Sequence, residues 1–453
     1  MTETQNKRTK LVMVLLGVGF LARLLYTTRI VLSFYPSFMG DFTYLDDARR
    51  ILSLDFHELG DRTPVYPLFL VLCGLNGWAV YVVQSLMGLA VSYMIFDMAL
   101  RRTRHGPLSV FIGLVCSLLL NVLVYEPEIV TETLATFLVV TSVWLIARGE
   151  SSAGNNFGYP LGAGLIAALA GLTRPLLLCL VPVYYCFVAP VWPYVNMFKR
   201  DCIKKTLLFA MPVTVLVLGW CEFNYLNNGF FSPTTRAGQQ LMDQVAPYVE
   251  LAPDRFAVLS DIWLKYRVHD QSEDYNATWY SEEAETEMEM RTGKSRVQVM
   301  HDLTDLALYL EIHHPVLCIR RAEQGWIHFW GGAGGDEINW PRDGEVGLTR
   351  LARPVAKFLI REVMAVFLIL ALLSLPCALF HRMVFTRIEY LIFAIALWTS
   401  IFAAFTEYGD NFRFSVPFLP LIFYTVLTWG WTCITTVASG SCTRSLPPDL
   451  RRL

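Results

Sequence analysis

Apolar stretches close to the length needed to cross a bilayer recur along the chain, separated by short polar turns. A membrane-spanning helix needs roughly 20 mostly apolar residues. Runs of that order cover 11–34, 78–100, 107–125, 131–148, 158–173, 175–195, 206–226, 355–380, 388–405 and 414–436. They predict an all-α polytopic membrane protein with about ten transmembrane helices. Arg174-Pro175 divides the apolar block 158–195 into two runs, because proline interrupts a helix interior. A long polar interval, 227–353, breaks the pattern. Within it Val297, Met300, Leu303, Leu306, Leu310 and Ile312 recur at helical spacing, predicting an amphipathic helix that lies against the membrane side.

Composition supports the same class. Of 453 residues, 54% are hydrophobic and 17% charged, against about 25% charged in a soluble domain. Mean hydropathy is +0.43 and the formal charge −2, which excludes an ordinary soluble globule, a disordered chain and a nucleic-acid partner drawn by net charge. Basic residues set the orientation. With the N-terminus cytoplasmic, sixteen lysines and arginines fall in inner connections, whereas only Arg49, Arg50, Arg62, Arg174 and Arg413 fall in the short outer ones. The chain is therefore expected N-in and C-in. It divides into an N-terminal transmembrane module (1–226) whose first outer loop spans 35–75, a small extracytoplasmic helical cap (227–353), and a C-terminal transmembrane module with a short cytoplasmic tail (354–453). The cap carries twenty of the 39 acidic side chains. The ten cysteines lie mostly in apolar runs without a CxxC pair, so buried thiols are expected, with no disulfide framework.

Charges at the ends of spans are costly to bury and tend to be functional. On this topology they gather on the outer face. The first outer loop contains Asp41, Tyr44, Asp46, Asp47, Arg62 and Tyr66; the second contains Glu126, Glu128 and Glu132; the third contains Arg174; and the last contains Arg413. A carboxylate beside the first span can take the proton of an acceptor hydroxyl. Interfacial arginines can grip a donor phosphate and stabilise the charge that grows as it leaves. The same pattern also suits the vestibule of a transporter or flippase for lipid-linked glycans, which is the alternative reading.

The string Asp41-x-x-Tyr44-x-x-x-Ala48, followed by Arg62-Thr63-Pro64-x-Tyr66-Pro67-Leu68-Phe69-Leu70, resembles integral-membrane glycosyltransferases of the GT-C superfamily. The branch is the bacterial one related to protein O-mannosyltransferases and lipid A aminoarabinose transferases. Glu128 to Thr133, Arg174-Pro175, Asn228-Gly229-Phe230, His314-Pro315 and Arg413-Phe414-x-x-Pro417 continue the resemblance in order. It implies a GT-C fold, a polyprenyl-phosphate-linked sugar donor, a lipid, polysaccharide or protein acceptor, and a multi-pass protein of the bacterial inner membrane with its site facing the periplasm. It also implies Asp41 as catalytic base, although Phe42 stands where the family often has a second acidic residue, which leaves Asp46 and Asp47 as understudies. Arg62 and Arg413, with Arg174 third, are the expected donor-phosphate contacts. Tyr44, Tyr66, Asp46, Asp47, Glu128 and Glu132 are the expected sugar and acceptor pocket. Relatives that transfer from lipid pyrophosphate bind a divalent cation with acidic pairs, for which Asp41, Glu126 and Glu128 would supply oxygen ligands to Mg²⁺ or Mn²⁺. The mannosyltransferase-like branch implies that no cofactor is required.

Overall fold

The computed structural model describes residues 3–32, 42–56, 59, 62–151, 156–188, 200–267, 282–331, 347–379, 384–409 and 411–438. Among them the regular elements are helices and no strand forms. Helices satisfy their backbone polar groups internally, as lipid requires. The first half contains α1 (Glu3–Tyr26), α2 (Phe42–Ser53), α3 (Val65–Leu72), α4 (Gly77–Thr103), α5 (Gly106–Ser117), α6 (Glu132–Ser151), α7 (Gly158–Gly171), α8 (Leu180–Val188) and α9 (Arg200–Asn228). Then follow α10 (Ala237–Val245), α11 (Ala257–Tyr266), α12 (Glu282–Thr292), α13 (Arg296–His313), α14 (Pro315–Gly331), α15 (Gly347–Leu379), α16 (Arg387–Thr406) and α17 (Leu419–Ala438).

Seven described helical stretches are long and apolar enough to cross a membrane: Gln5–Tyr26, Gly77–Thr103, Glu132–Glu150, Asp201–Asn228, Pro354–Pro376, Arg387–Thr406 and Arg413–Val437. Three shorter apolar helices, Gly106–Ser117, Gly158–Gly171 and Pro175–Val188, occupy the remaining expected runs. The run expected over 107–125 ends early. Helix α5 stops at Ser117, one turn covers Leu120–Leu123, and the chain then reverses through Tyr125-Glu126-Pro127. The bundle core is built by α4 against α5 and α6, α6 against α7, and α7 against α9. Gly164 makes the last contact possible, because a Cβ there would collide with the Phe209 carbonyl. Leu207, Met211, Val215 and Leu218 on α9 remain exposed, as a lipid-facing surface requires.

The polar interval does not form one cap. Helices α10 to α13 enclose a separate apolar core that includes Met242, Ile262, Trp263, Met288, Leu303 and Leu306. The expected amphipathic helix exists as α13, but its apolar stripe faces this core and not the membrane. Met300, Leu303, Leu306 and Leu310 are buried there, whereas Ile312 is 71% exposed. Helix α14, expected in the cap, returns to the bundle and packs on α16. Trp326 Nε1 donates to Ser400 Oγ at 3.0 Å, and Trp330 stacks on Phe367. Its apolar face, with Phe329 and Trp330 buried in the main core, explains the departure.

Glu311, near the end of α13, has a buried carboxylate oxygen without a hydrogen-bond partner among the described residues. Burial pushes its carboxyl from the ordinary value up to about 7. The folded chain therefore holds this proton over a range, from roughly 4.5 up to 7, in which an unfolded chain has released it. Stability is favoured below that range and falls as pH rises through it. Thermal melts in detergent at about pH 5 and about pH 7.5 should show a lower midpoint at the higher pH. Glu311→Gln should remove much of the difference, and an unchanged pH profile in that variant would assign the effect elsewhere.

Candidate functional site

Glu132 opens α6 and is completely buried. Its Oε1 accepts Arg413 Nε at 2.9 Å, a second Arg413 nitrogen lies at 2.7 Å, and an Arg174 guanidinium nitrogen lies at 3.4 Å. Local sequence brings the two arginines in. Arg174 precedes Pro175 and is held extended (φ −141°, ψ 115°), since the proline ring disfavours a helical residue before it. The chain therefore breaks sharply between α7 and the 3-10 turn Pro175–Cys179, swinging the Arg174 side chain toward the start of α6. Arg413 opens another 3-10 turn, Arg413–Phe418, which leads into α17. The Arg174 guanidinium lies 4.9 Å from the Phe414 ring centre. Two guanidiniums thus share one carboxylate, at a helix N-terminus that also favours an anion. Glu132 Oε2 is buried and has no hydrogen-bond partner among the described residues.

The first outer loop is stapled to this centre. Thr63 Oγ1 donates to the Thr173 carbonyl at 3.0 Å, and the Val65 N–H donates to the Leu172 carbonyl at 3.1 Å. These bonds fix Arg62-Thr63-Pro64 beside Arg174. Arg62 Nε donates to Thr43 Oγ1 at 3.1 Å, and its guanidinium lies 4.8 Å from the Tyr44 ring centre. The Tyr44 ring meets Tyr66 edge-on, with centroids 5.1 Å apart. Tyr66 is fully buried and its hydroxyl lacks a partner among the described residues. Burial, then the neighbouring Tyr44 and Glu132, holds that phenol well above its usual value, so it stays a hydrogen-bond donor. Tyr125 is likewise pushed up by burial and by Glu132. Arg62, Tyr44, Tyr66, Glu132, Arg174 and Arg413 thus converge, with Glu128 half-buried at the margin.

Other expected residues are placed differently. Asp41 lies outside the described residues. Asp46, expected in the pocket, pairs with Arg49 at 2.8 Å on the exposed face of α2, because the next residue, Asp47, takes the buried face. Glu126, weighed as a metal ligand with Asp41 and Glu128, is fully buried against Arg23 instead. Both its carboxylate oxygens accept from Arg23, at 2.6 to 3.1 Å, and one also accepts from Ser85 at 3.0 Å. A carboxylate so engaged does not suit a divalent cation. Among the described residues no three His, Cys, Asp or Glu side chains come together as a metal site.

Arg23, Gln84 and Tyr125 escaped the sequence reading. Gln84 Nε2 donates to the carbonyls of Glu126 and Glu128, at 2.8 and 2.9 Å, and so shapes the second outer turn. Arg23 carried a usable signal: a lone cation inside the apolar run 11–34 implies a buried partner. Gln84 and Tyr125 carried none, since a neutral polar residue within or beside a span is common.

Comparison with known proteins gives a consistent frame. Residues 63–220, about a third of the chain, match the family described as dolichyl-phosphate-mannose-protein mannosyltransferase. No curated protein sequence matches. The archaeal oligosaccharyltransferase from Archaeoglobus fulgidus, solved in complex with an inhibitory peptide and a dolichol-phosphate, superposes over 99% of this chain with a TM-score of 0.50 and 13% identity. The chain has a GT-C fold. It covers 53% of the oligosaccharyltransferase chain, about half its length. Within this GT-C fold the matched family segment begins at Thr63, takes in the Thr63–Thr173 staple, Glu132 and Arg174, and ends in α9. Arg413 lies beyond it and joins the centre only through tertiary structure.

Proposed function

We propose that the protein is a glycosyltransferase that moves a sugar from a polyprenyl-phosphate-linked donor to a hydroxyl acceptor, with inversion at the anomeric carbon. The observation that carries this reading is Glu132 holding Arg174 and Arg413 together beside the buried Tyr66 hydroxyl, which lacks a hydrogen-bond partner among the described residues. Paired guanidiniums, in a partly buried setting at the end of a transmembrane bundle, suit one phosphodiester whose lipid chain stays in the bilayer. The active face is the extracytoplasmic one on the charge distribution of the loops.

In the proposed step, the acceptor oxygen loses its proton to Asp41 and attacks the anomeric carbon. The bond from that carbon to the phosphate oxygen breaks, and the electron pair leaves on polyprenyl phosphate. Arg413 and Arg174 stabilise the charge that develops there, an interaction that strengthens as the bond breaks. On this reading the Tyr66 hydroxyl donates to a sugar or phosphate oxygen. The acceptor is a lipid, polysaccharide or protein hydroxyl.

The test is an assay of purified protein with synthetic short-chain polyprenyl-phosphate sugars, following release of polyprenyl phosphate. Release is expected in the wild type and should fall at least about a thousandfold in Asp41→Asn, with donor binding retained. Near wild-type turnover in that variant would remove Asp41 as base. Movement of donor across vesicle membranes without any release would favour a flippase instead.

A further inference from the structure

At the end of the bundle opposite Glu132, the ends of α6 and α8 and the starts of α7, α9 and α16 surround a cavity of about 370 Å³. Glu150 on its rim lies about 27 Å along α6 from Glu132 at the helical rise per residue. Apolar walls come from Ile146, Pro160 and Phe187; the charged groups are Arg387, Lys205 and Glu150. Arg387 pairs with Glu150 at 3.2 Å and donates to the Phe187 carbonyl at 2.5 Å, which fixes its guanidinium across the opening. Lys205 is half-buried and has no ion-pair partner among the described residues. The cavity therefore holds two cations against one carboxylate.

The surface beside it has the same sign. Asp97 is buried and shared by three arginines: Arg8 at 2.6 Å, Arg101 at 3.0 Å and Arg148 at 3.0 Å. Trp144 Nε1 donates to the same carboxylate at 3.0 Å. That cluster keeps two positive charges in surplus, and Arg148 sits on the same helix end as Glu150. An apolar-walled cavity with a basic mouth, at the level where spans leave the bilayer, matches a ligand with one phosphodiester and acyl chains. A zwitterionic headgroup would bring its own cation against Lys205.

We propose that this cavity binds the headgroup of an anionic phospholipid from the leaflet on that side. The site is independent of the glycosyl-transfer reading, and loss of turnover in the assay above would leave it untouched. The test uses full-length protein in detergent with added phosphatidylglycerol, phosphatidylcholine or inorganic phosphate. Thermal midpoints are measured, and bound lipid is counted by native mass spectrometry. Phosphatidylglycerol should remain as a one-to-one adduct and raise the midpoint, while phosphatidylcholine does neither. Lys205→Gln should weaken phosphatidylglycerol binding about fivefold, as expected for one interfacial cation. Glu150→Gln should tighten it, a change that impaired folding would not mimic. Equal responses to the two lipids, or affinities unmoved by both substitutions, would overturn the proposal. Stabilisation by phosphate alone equal to that by phosphatidylglycerol would mean a free-anion site and no lipid headgroup.

Discussion

Arg413→Ala should lower kcat/KM for a polyprenyl-phosphate sugar by about a hundredfold or more. Arg413 makes the shortest contact to Glu132, at 2.7 Å, and its side chain remains 30% exposed, so it faces both the buried carboxylate and the open side of the site. A charge-assisted hydrogen bond lost from a developing negative charge costs about 2.7–4 kcal/mol when its donor is preorganised. Arg174 sits deeper, at 13% exposure, with the Phe414 ring beneath it, and its truncation should cost less than that of Arg413. Arg413→Lys should recover only part of the activity, because an ammonium retains the charge but loses the planar fork. Glu132→Gln gives a separate readout. It removes the carboxylate that holds both guanidiniums in place, so donor binding should weaken even though the net charge of the site has become more positive. Steady-state kinetics with a short-chain donor check all four variants. Donor affinity and turnover near wild type in Arg413→Ala would remove the arginine pair from the phosphate site.

The largest loss of stability should follow from separating Arg23 and Glu126. Both are essentially inaccessible, at 4% and 0% exposure, and the guanidinium is also held by Ser117 Oγ at 3.0 Å and the Gly19 carbonyl at 3.2 Å. Removing one partner leaves an uncompensated charge, which costs about 3–5 kcal/mol in a buried pair. Arg23→Ala and Glu126→Ala should each destabilise by that amount. The double replacement Arg23→Met with Glu126→Leu should recover much of it, since a packed apolar pair carries no desolvation cost. Gly88→Ala should behave like a broken pair, because a Cβ at that position collides with both Glu126 and Arg23. Activity should fall with stability here, as Gln84 ties the Glu126 and Glu128 carbonyls to the same unit. Reversible unfolding in detergent, read as a double-mutant cycle, measures the coupling. A coupling energy below about 1 kcal/mol would show a pair that contributes little.

Much of the architecture is legible from the chain alone. Ten apolar runs correspond to seven long helices and three shorter ones, because an apolar run of spanning length has few ways to satisfy its backbone in lipid. The apolar run over 107–125 is longer than the helix it forms, since hydropathy continues through Leu118 to Tyr125 while the buried Arg23–Glu126 pair demands a turn. Within the polar interval, periodicity identified α13 but not the surface it packs on. A helical stripe states which face is apolar; it does not distinguish a membrane from the four-helix core formed by α10 to α13. Helix α14 departs from the expected cap for the same reason, with Phe329 and Trp330 buried in the bundle and Trp326 partly buried against it.

At the site, residue type and position near the ends of spans were enough to single out Arg62, Tyr66, Glu132, Arg174 and Arg413. These are charges and aromatics that a bilayer interface tolerates only with partners or a task. The sequence by itself thus determined a helical membrane protein, its apolar spans and the loops that carry the candidate site. Tertiary structure decided the pairings: Glu132 joins Arg174 and Arg413 across separations of 42 and 281 residues, while Glu126 goes to Arg23. The physical reason is that a one-dimensional pattern records the cost of burying a charge, and only the packed helices determine which opposite charge meets that cost.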